Sequence, residues 1–129
     1  MTNLSEVLAF YRKIPDWAEI DCNINTPNNY GDYIINVAAT RCKVAEIEIL
    51  LEAGADVNQR GEHGFSPVLN AFEQGCLLGV VYLLDKGANP NIANSDGTTP
   101  ETLAALSGEN EILHFLKNWK STKLTPRKV

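Results

Sequence analysis

Cys22, Cys42, Cys76, His63 and His114 are the side chains of this 129-residue chain best suited to nucleophilic or metal chemistry. A cysteine nucleophile needs a base, usually histidine, within hydrogen-bond reach. Cys76 follows Gly75 and is expected to be the most exposed of the three, but the spacing of the chain places no second catalytic group beside it. An enzyme using Cys76 or His63 is therefore only a remote alternative. Neither histidine has the H-x-x-x-H or cysteine-rich spacing of a zinc site, and no G-x-x-x-x-G-K-[ST] loop is present, so no metal and no cofactor are expected. His63 could titrate near neutral pH, yet its Gly61-Glu62-His63-Gly64 setting reads as a solvated loop, and His114 reads as a mid-helix packing or surface residue. An odd number of cysteines with no C-x-x-C pair argues against a disulfide framework and for a reducing, cytoplasmic compartment.

The formal net charge of −5 is unevenly spread. Lys117, Lys120, Lys123, Arg127 and Lys128 lie in the last thirteen residues, which hold no acid, leaving six bases against sixteen acids over residues 1–116. Such an acidic body repels phosphate backbones and favours encounter with a basic protein, so nucleic acid is not an expected partner. No stretch resembles a signal peptide or approaches the roughly 20 apolar residues that span a bilayer, so no membrane is expected either.

The elements that must position these side chains recur. Gly31, Gly64 and Gly97 are 33 residues apart, as are Gly54 and Gly87. A period of roughly 20–50 residues marks stacked supersecondary units that cannot bury their apolar faces alone. Leu4, Val7, Leu8 and Tyr11 form the stripe of a first amphipathic helix, which Pro15 closes, and the following PDWAEI can make at most a short turn of helix. Ile34, Ile35, Ala38 and Ala39 face one helix inward, and Val44, Ile47, Leu50 and Leu51 face the next. In the following unit Ser66 is placed to cap a helix that begins at Pro67, Gly75 separates two helices, and Val80, Leu83 and Leu84 continue the second stripe. Thr99-Pro100 repeats the start signal. Gly79, mid-helix, is expected to loosen the central unit, since glycine there costs roughly 0.5–1 kcal/mol relative to alanine.

The segments AA at 38–39, LL at 50–51, GADVN at 54–58, SP at 66–67, LL at 83–84, GANPN at 87–91, TP at 99–100 and AA at 104–105 recur in register. In this the chain resembles the ankyrin-repeat family over about residues 21–119. The resemblance implies an all-α solenoid of helix-turn-helix units with projecting loops, about three full repeats and a degenerate N-terminal cap. The expected divisions are a single domain over 1–120, made of a cap (1–30), two repeats (31–63 and 64–96) and a capping repeat (97–120), followed by a disordered basic tail (121–129). Departures include Tyr33-Ile34 for the family's T-P, and Asn36, Leu69 and Thr102 for its histidine, which should alter the usual hydrogen bonds between repeats. Trp17 and Trp119 are expected to seal the two ends of the core.

Ankyrin-like stacks bind proteins through their loop tips and the exposed face of their first helices. The resemblance assigns Asn29, Tyr30 and Asp32 to the first tip, Arg60, Glu62, His63 and Phe65 to the second, and Ser95, Asp96 and Thr98 to the third. Thr40, Arg41, Glu73 and Gln74 lie on the helix face beside them. Tyr30 and Phe65 are the expected apolar anchors, with Asp32, Glu62 and Glu73 pairing with basic groups. The expected activity is steric occlusion or tethering of a protein partner by a monomer, with no catalysis. With no catalytic domain in these 129 residues, an inhibitor or an immunity protein neutralising a basic toxin or enzyme is the sharper form. A non-inhibitory adaptor or scaffold is the alternative.

Overall fold

The structure, a computed structural model, describes residues 3–108 and 110–124. Seven α-helices are found among them: α1 (Leu4–Arg12), α2 (Ile34–Thr40), α3 (Val44–Glu52), α4 (Pro67–Glu73), α5 (Leu77–Asp85), α6 (Pro100–Ser107) and α7 (Asn110–Leu124). Short 3-10 turns occupy Pro15–Trp17 and Glu62–Gly64. No strand is present among the described residues.

Helix starts follow local chemistry. Ser66 Oγ accepts the Leu69 N–H (3.4 Å) and Thr99 Oγ1 accepts the Thr102 N–H (3.2 Å), each just before a proline whose missing N–H is not needed in the first turn. At α2 the N-cap residue is Tyr33, whose side chain makes no capping hydrogen bond. There the Tyr33 N–H donates back to Asn36 Oδ1 at 3.0 Å, the reciprocal half of a capping box.

The helices pair within each unit and stack between units. α2 packs on α4 and α4 on α6, forming one layer; α1 meets α3 and α3 meets α5 in the other. Val7, Tyr11, Ile34, Ile35, Ala38, Ala39, Ile47, Leu50, Val68, Leu69, Val80 and Leu83 form a continuous buried core between the layers. Trp17 is buried in it, its ring edge-on to Tyr11 at 5.6 Å, and Trp119 packs beside Phe115 at 6.0 Å. α7 runs to Leu124, four residues into the segment expected as a tail, and residues 125–129 of that segment lie outside the described residues.

Three features depart from the expectations above. Cys42 and Cys76 form a disulfide, so the argument from an odd cysteine count fails; the pair joins the turn after α2 to the turn after α4, with Cα atoms 5.8 Å apart. Cys22 alone is free and is buried. Cys76 is only 6% exposed, whereas Cys42 is the exposed member of the pair. Gly79 has a packing reason, because a Cβ there would lie 2.9 Å from Cys76 Sγ. Its missing side chain lets the disulfide approach α5.

Candidate functional site

The three loop tips are copies of one closed turn. Asn28 N–H donates to Asp32 O (2.7 Å), Gly61 N–H to Phe65 O (2.9 Å) and Asn94 N–H to Thr98 O (2.9 Å), the same link repeated each period. In the first tip Asn28 Oδ1 accepts the N–H groups of Tyr30 and Asp32, and in the third Asn94 Oδ1 accepts those of Asp96 and Thr98, all at 2.9 Å. Both asparagines are buried. Neither was singled out from the sequence, although their spacing of two periods was a usable signal.

The second tip has Gly61 where the others have asparagine. A Cβ at Gly61 would strike the Asp32 carboxylate and sit 2.7 Å from Asn36 Oδ1. The space is filled instead by Asp32 of the preceding tip, whose Oδ1 accepts the Glu62 N–H at 2.9 Å. Tip one is thereby fastened to tip two, and the Ser95 N–H fastens tip three to His63 O at 3.0 Å. His63 adopts a left-handed backbone (φ 56°) to make this turn, and its ring is 76% exposed and 3.5 Å from Glu62 Oε1.

Asn36, fully buried, braces the second tip from below. Its Nδ2 lies 2.8 Å from Gln59 O and 3.1 Å from both Phe65 O and Asn70 Oδ1, sharing two hydrogens among three acceptors across the repeat boundary. The departure from histidine thus changes the atoms of the inter-repeat link and keeps the link.

Between the first two tips and the faces of α2 and α4 lies an open cleft of about 230 Å³, lined by Asp32, Thr40, Glu62, His63, Phe65, Asn70 and Glu73. Six of these were named from the sequence; Asn70 was not. Three carboxylates line the cleft and no lysine or arginine does. Burial, reinforced by the charges of Glu62 and Asp16, raises the Asp32 pKa despite the opposing hydrogen bond from Glu62 N–H. An ion of opposite charge entering the cleft would reverse that strain.

The other candidates divide. Tyr30 is 61% exposed at the first tip, beside but not lining the cleft. Asn29 is exposed, its N–H held by Asp16 O at 3.0 Å. Phe65 is half-buried and packed on the core, so it is a wall of the cleft rather than a detachable anchor. Arg60 is exposed but donates to Ala93 O (2.7 Å), stitching tip two to the segment before tip three. Gln74 is exposed at the end of α4, and Ser95, Asp96 and Thr98 stand at the third tip outside the cleft.

Arg41 is held within the fold, its side chain 30% exposed. Its Nη1 lies 2.8 Å from Tyr11 Oη and 3.2 Å from Glu46 Oε1, and its guanidinium stacks 4.5 Å over the Phe10 ring. Tyr11 Oη donates to Glu46 Oε1 at 2.7 Å, and burial together with that carboxylate pushes the phenol pKa far up, so it stays a donor. The group fixes α1 to the first repeat. Nothing in the sequence pattern distinguished this inward-facing triad from a solvated charge cluster.

Among the described residues no three His, Cys, Asp or Glu side chains converge as metal ligands, and no helix is long and apolar enough to cross a membrane. A family model described as ankyrin repeats in many copies matches residues 68–116. The human ankyrin repeat domain-containing protein 63 is 39% identical over 101 residues, 78% of this chain and 27% of that protein. The human 2-5A-dependent ribonuclease is 41% identical over 63 residues, 48% of this chain and 8% of the ribonuclease. The mouse protein phosphatase 1 regulatory subunit 27 is 37% identical over 57 residues, 44% of this chain and 37% of that subunit. The chain spans about a quarter of the length of the first of these, and what it shares with them is the repeat region. Such repeats are protein-interaction modules. Stacked on a 33-residue step, closed by the same link at each tip and matched through its central unit, the chain belongs to the ankyrin-repeat family.

Proposed function

We propose that this chain binds one protein partner by admitting a basic side chain into the cleft between its first two tips, with Tyr30 as the flanking aromatic contact. The observation that carries this reading is the convergence of Asp32, Glu62 and Glu73 on one concave site that no lysine or arginine lines. A lysine or arginine seated there would lie against the Phe65 wall and lower the charge repulsion that now burdens Asp32. Thr40 and Asn70 supply polar atoms on the floor. The tips are cross-linked by hydrogen bonds before binding, which reduces the ordering cost of association.

In this reading the chain acts by covering a surface of its partner, and no residue of it performs catalysis. Cys76 is in a disulfide and His63 stands on a tip, so the remote enzymatic alternative has no nucleophile–base pair to draw on. Occlusion of an active or docking surface makes the chain an inhibitor, of which a toxin-neutralising protein is one form; tethering without occlusion makes it an adaptor. The test is capture of partners on immobilised wild-type protein and on a Tyr30→Ala/Glu73→Arg variant. A partner held by the first and lost by the second supports the cleft, and equal retention by both removes it. Adding the purified chain to the purified partner then separates inhibition from tethering by whether the partner's own activity falls.

A further inference from the structure

We infer that the Cys42–Cys76 pair is a thiol–disulfide exchange site for a small anionic thiol of the glutathione type, which attacks at Cys42 and expels Cys76. The two sulfurs have unlike surroundings. Cys42 is exposed on the turn between α2 and α3, in a left-handed conformation (φ 58°) at the place where the next two units use Gly75 and Gly108. Beside it is an open depression of about 330 Å³ lined by Cys42, Lys43, Val44, Ala45 and Glu46. Lys43 is exposed and offers a positive charge to an incoming thiolate or carboxylate. The Glu46 carboxylate is already engaged by Tyr11 and Arg41.

Cys76, by contrast, is buried and sits at the N-cap of the nine-residue helix α5, where its Sγ accepts the Gly79 N–H at 3.3 Å. A helix N-terminus and a hydrogen-bond donor stabilise a thiolate, and the sulfur with the lower thiol pKa leaves faster. Accessibility and leaving-group quality therefore select the same direction of attack.

A small thiolate forms a bond to Cys42 Sγ, the Cys42–Cys76 bond breaks, and the electron pair leaves on Cys76 Sγ, which takes a proton from solvent. A second small thiolate attacks the small-thiol sulfur of the mixed disulfide, releasing the oxidised small disulfide and a Cys42 thiolate. The reverse sequence, with the small disulfide as oxidant, restores the bond. Because the pair spans 34 residues and joins the turns of adjacent repeats, opening it removes a covalent tie between the first repeat and the second and leaves the α2–α4 packing and the hydrogen bonds across the boundary to hold them.

The experiment treats the full chain with reduced and then oxidised glutathione, traps thiols by alkylation and maps adducts by mass spectrometry. In wild type, both cysteines become alkylated under reduced glutathione and the bond re-forms under oxidised glutathione. Reduction lowers Tm by about 10 °C, as the loss of a crosslink of this span implies. In Cys76→Ser, oxidised glutathione leaves a stable adduct on Cys42. In Cys42→Ser, the buried Cys76 acquires its adduct at least tenfold more slowly. The inference is overturned if reduced glutathione leaves the wild-type pair intact, if Cys76 is modified as fast as Cys42, or if reduction leaves Tm unchanged.

Discussion

Replacing Asp32 by asparagine and by alanine separates its two roles, as the acceptor that fastens two tips and as the charge that meets a partner. Alanine removes the acceptor 2.9 Å from the Glu62 N–H, leaving a half-buried donor to partial solvation, at a cost of about 1–2 kcal/mol. Asparagine keeps an oxygen in that place and removes the charge, so its stability should lie within about 0.5 kcal/mol of wild type at neutral pH. The pH dependence has a definite sign. Burial raises the Asp32 pKa in the folded chain above its unfolded value, so the folded state holds this proton more tightly. Its contribution to stability is full below the unfolded pKa and declines as pH rises through the raised folded value. Asp32→Asn should flatten that decline. Partner binding has the opposite slope: a cation needs the ionised carboxylate, so wild-type affinity falls as pH drops through the raised pKa, and Asp32→Asn loses about tenfold in affinity at neutral pH, about 1.4 kcal/mol. Urea denaturation followed by circular dichroism at several pH values reads the first effect, and calorimetric titration of the captured partner reads the second. Equal destabilisation by asparagine and alanine would refute the acceptor argument, and unchanged affinity in Asp32→Asn would refute a cation in the cleft.

Tyr11→Phe leaves the buried Glu46 with one fewer donor, and chemical denaturation should show a loss of about 1–3 kcal/mol. Gly61→Ala pushes a methyl group into the Asp32 carboxylate and the Asn36 amide, and should destabilise by about 1–3 kcal/mol although its backbone is not left-handed; a neutral result would show that the tips rearrange freely. Tyr30→Ala, at an exposed side chain, should change stability by less than about 0.5 kcal/mol while weakening partner binding. Association with a basic partner should slow as salt is raised, by stopped-flow or surface binding kinetics, whereas the dissociation rate should change little.

The frame of the fold was legible because it rests on residues whose backbone demands are local. Gly31, Gly64 and Gly97 each take a positive φ at a tip, and Gly54 and Gly87 do so after a second helix, conformations that glycine tolerates and other residues rarely do. Ser66 and Thr99 cap helices through their own side chains. The disulfide was not legible by the same logic. Parity of the cysteine count says nothing about geometry, whereas position within the period does: Cys42 and Cys76 are one repeat plus one residue apart, in successive inter-helix turns that stacking brings together. Charged residues were the other blind spot. Arg41 read as an exposed contact on the helix face, and only the approach of Tyr11 from α1 reveals that it pairs with the buried Glu46.

The cleft exists because the second tip breaks the asparagine rule of the other two. Asn28 and Asn94 each accept two N–H groups of their own tip. Gly61 cannot, and the vacancy draws the Asp32 carboxylate across the repeat boundary, where it gains the Glu62 N–H and comes to face Glu62 and Glu73 over one opening. A glycine has thereby exchanged a private hydrogen bond for a shared one and concentrated negative charge at the boundary of two repeats. Restoring a side chain at 61 would therefore do more than crowd the loop. It would push the Asp32 carboxylate away from the Glu62 N–H and out of register with Glu62 and Glu73, which ties the binding proposal to a backbone position that touches no partner.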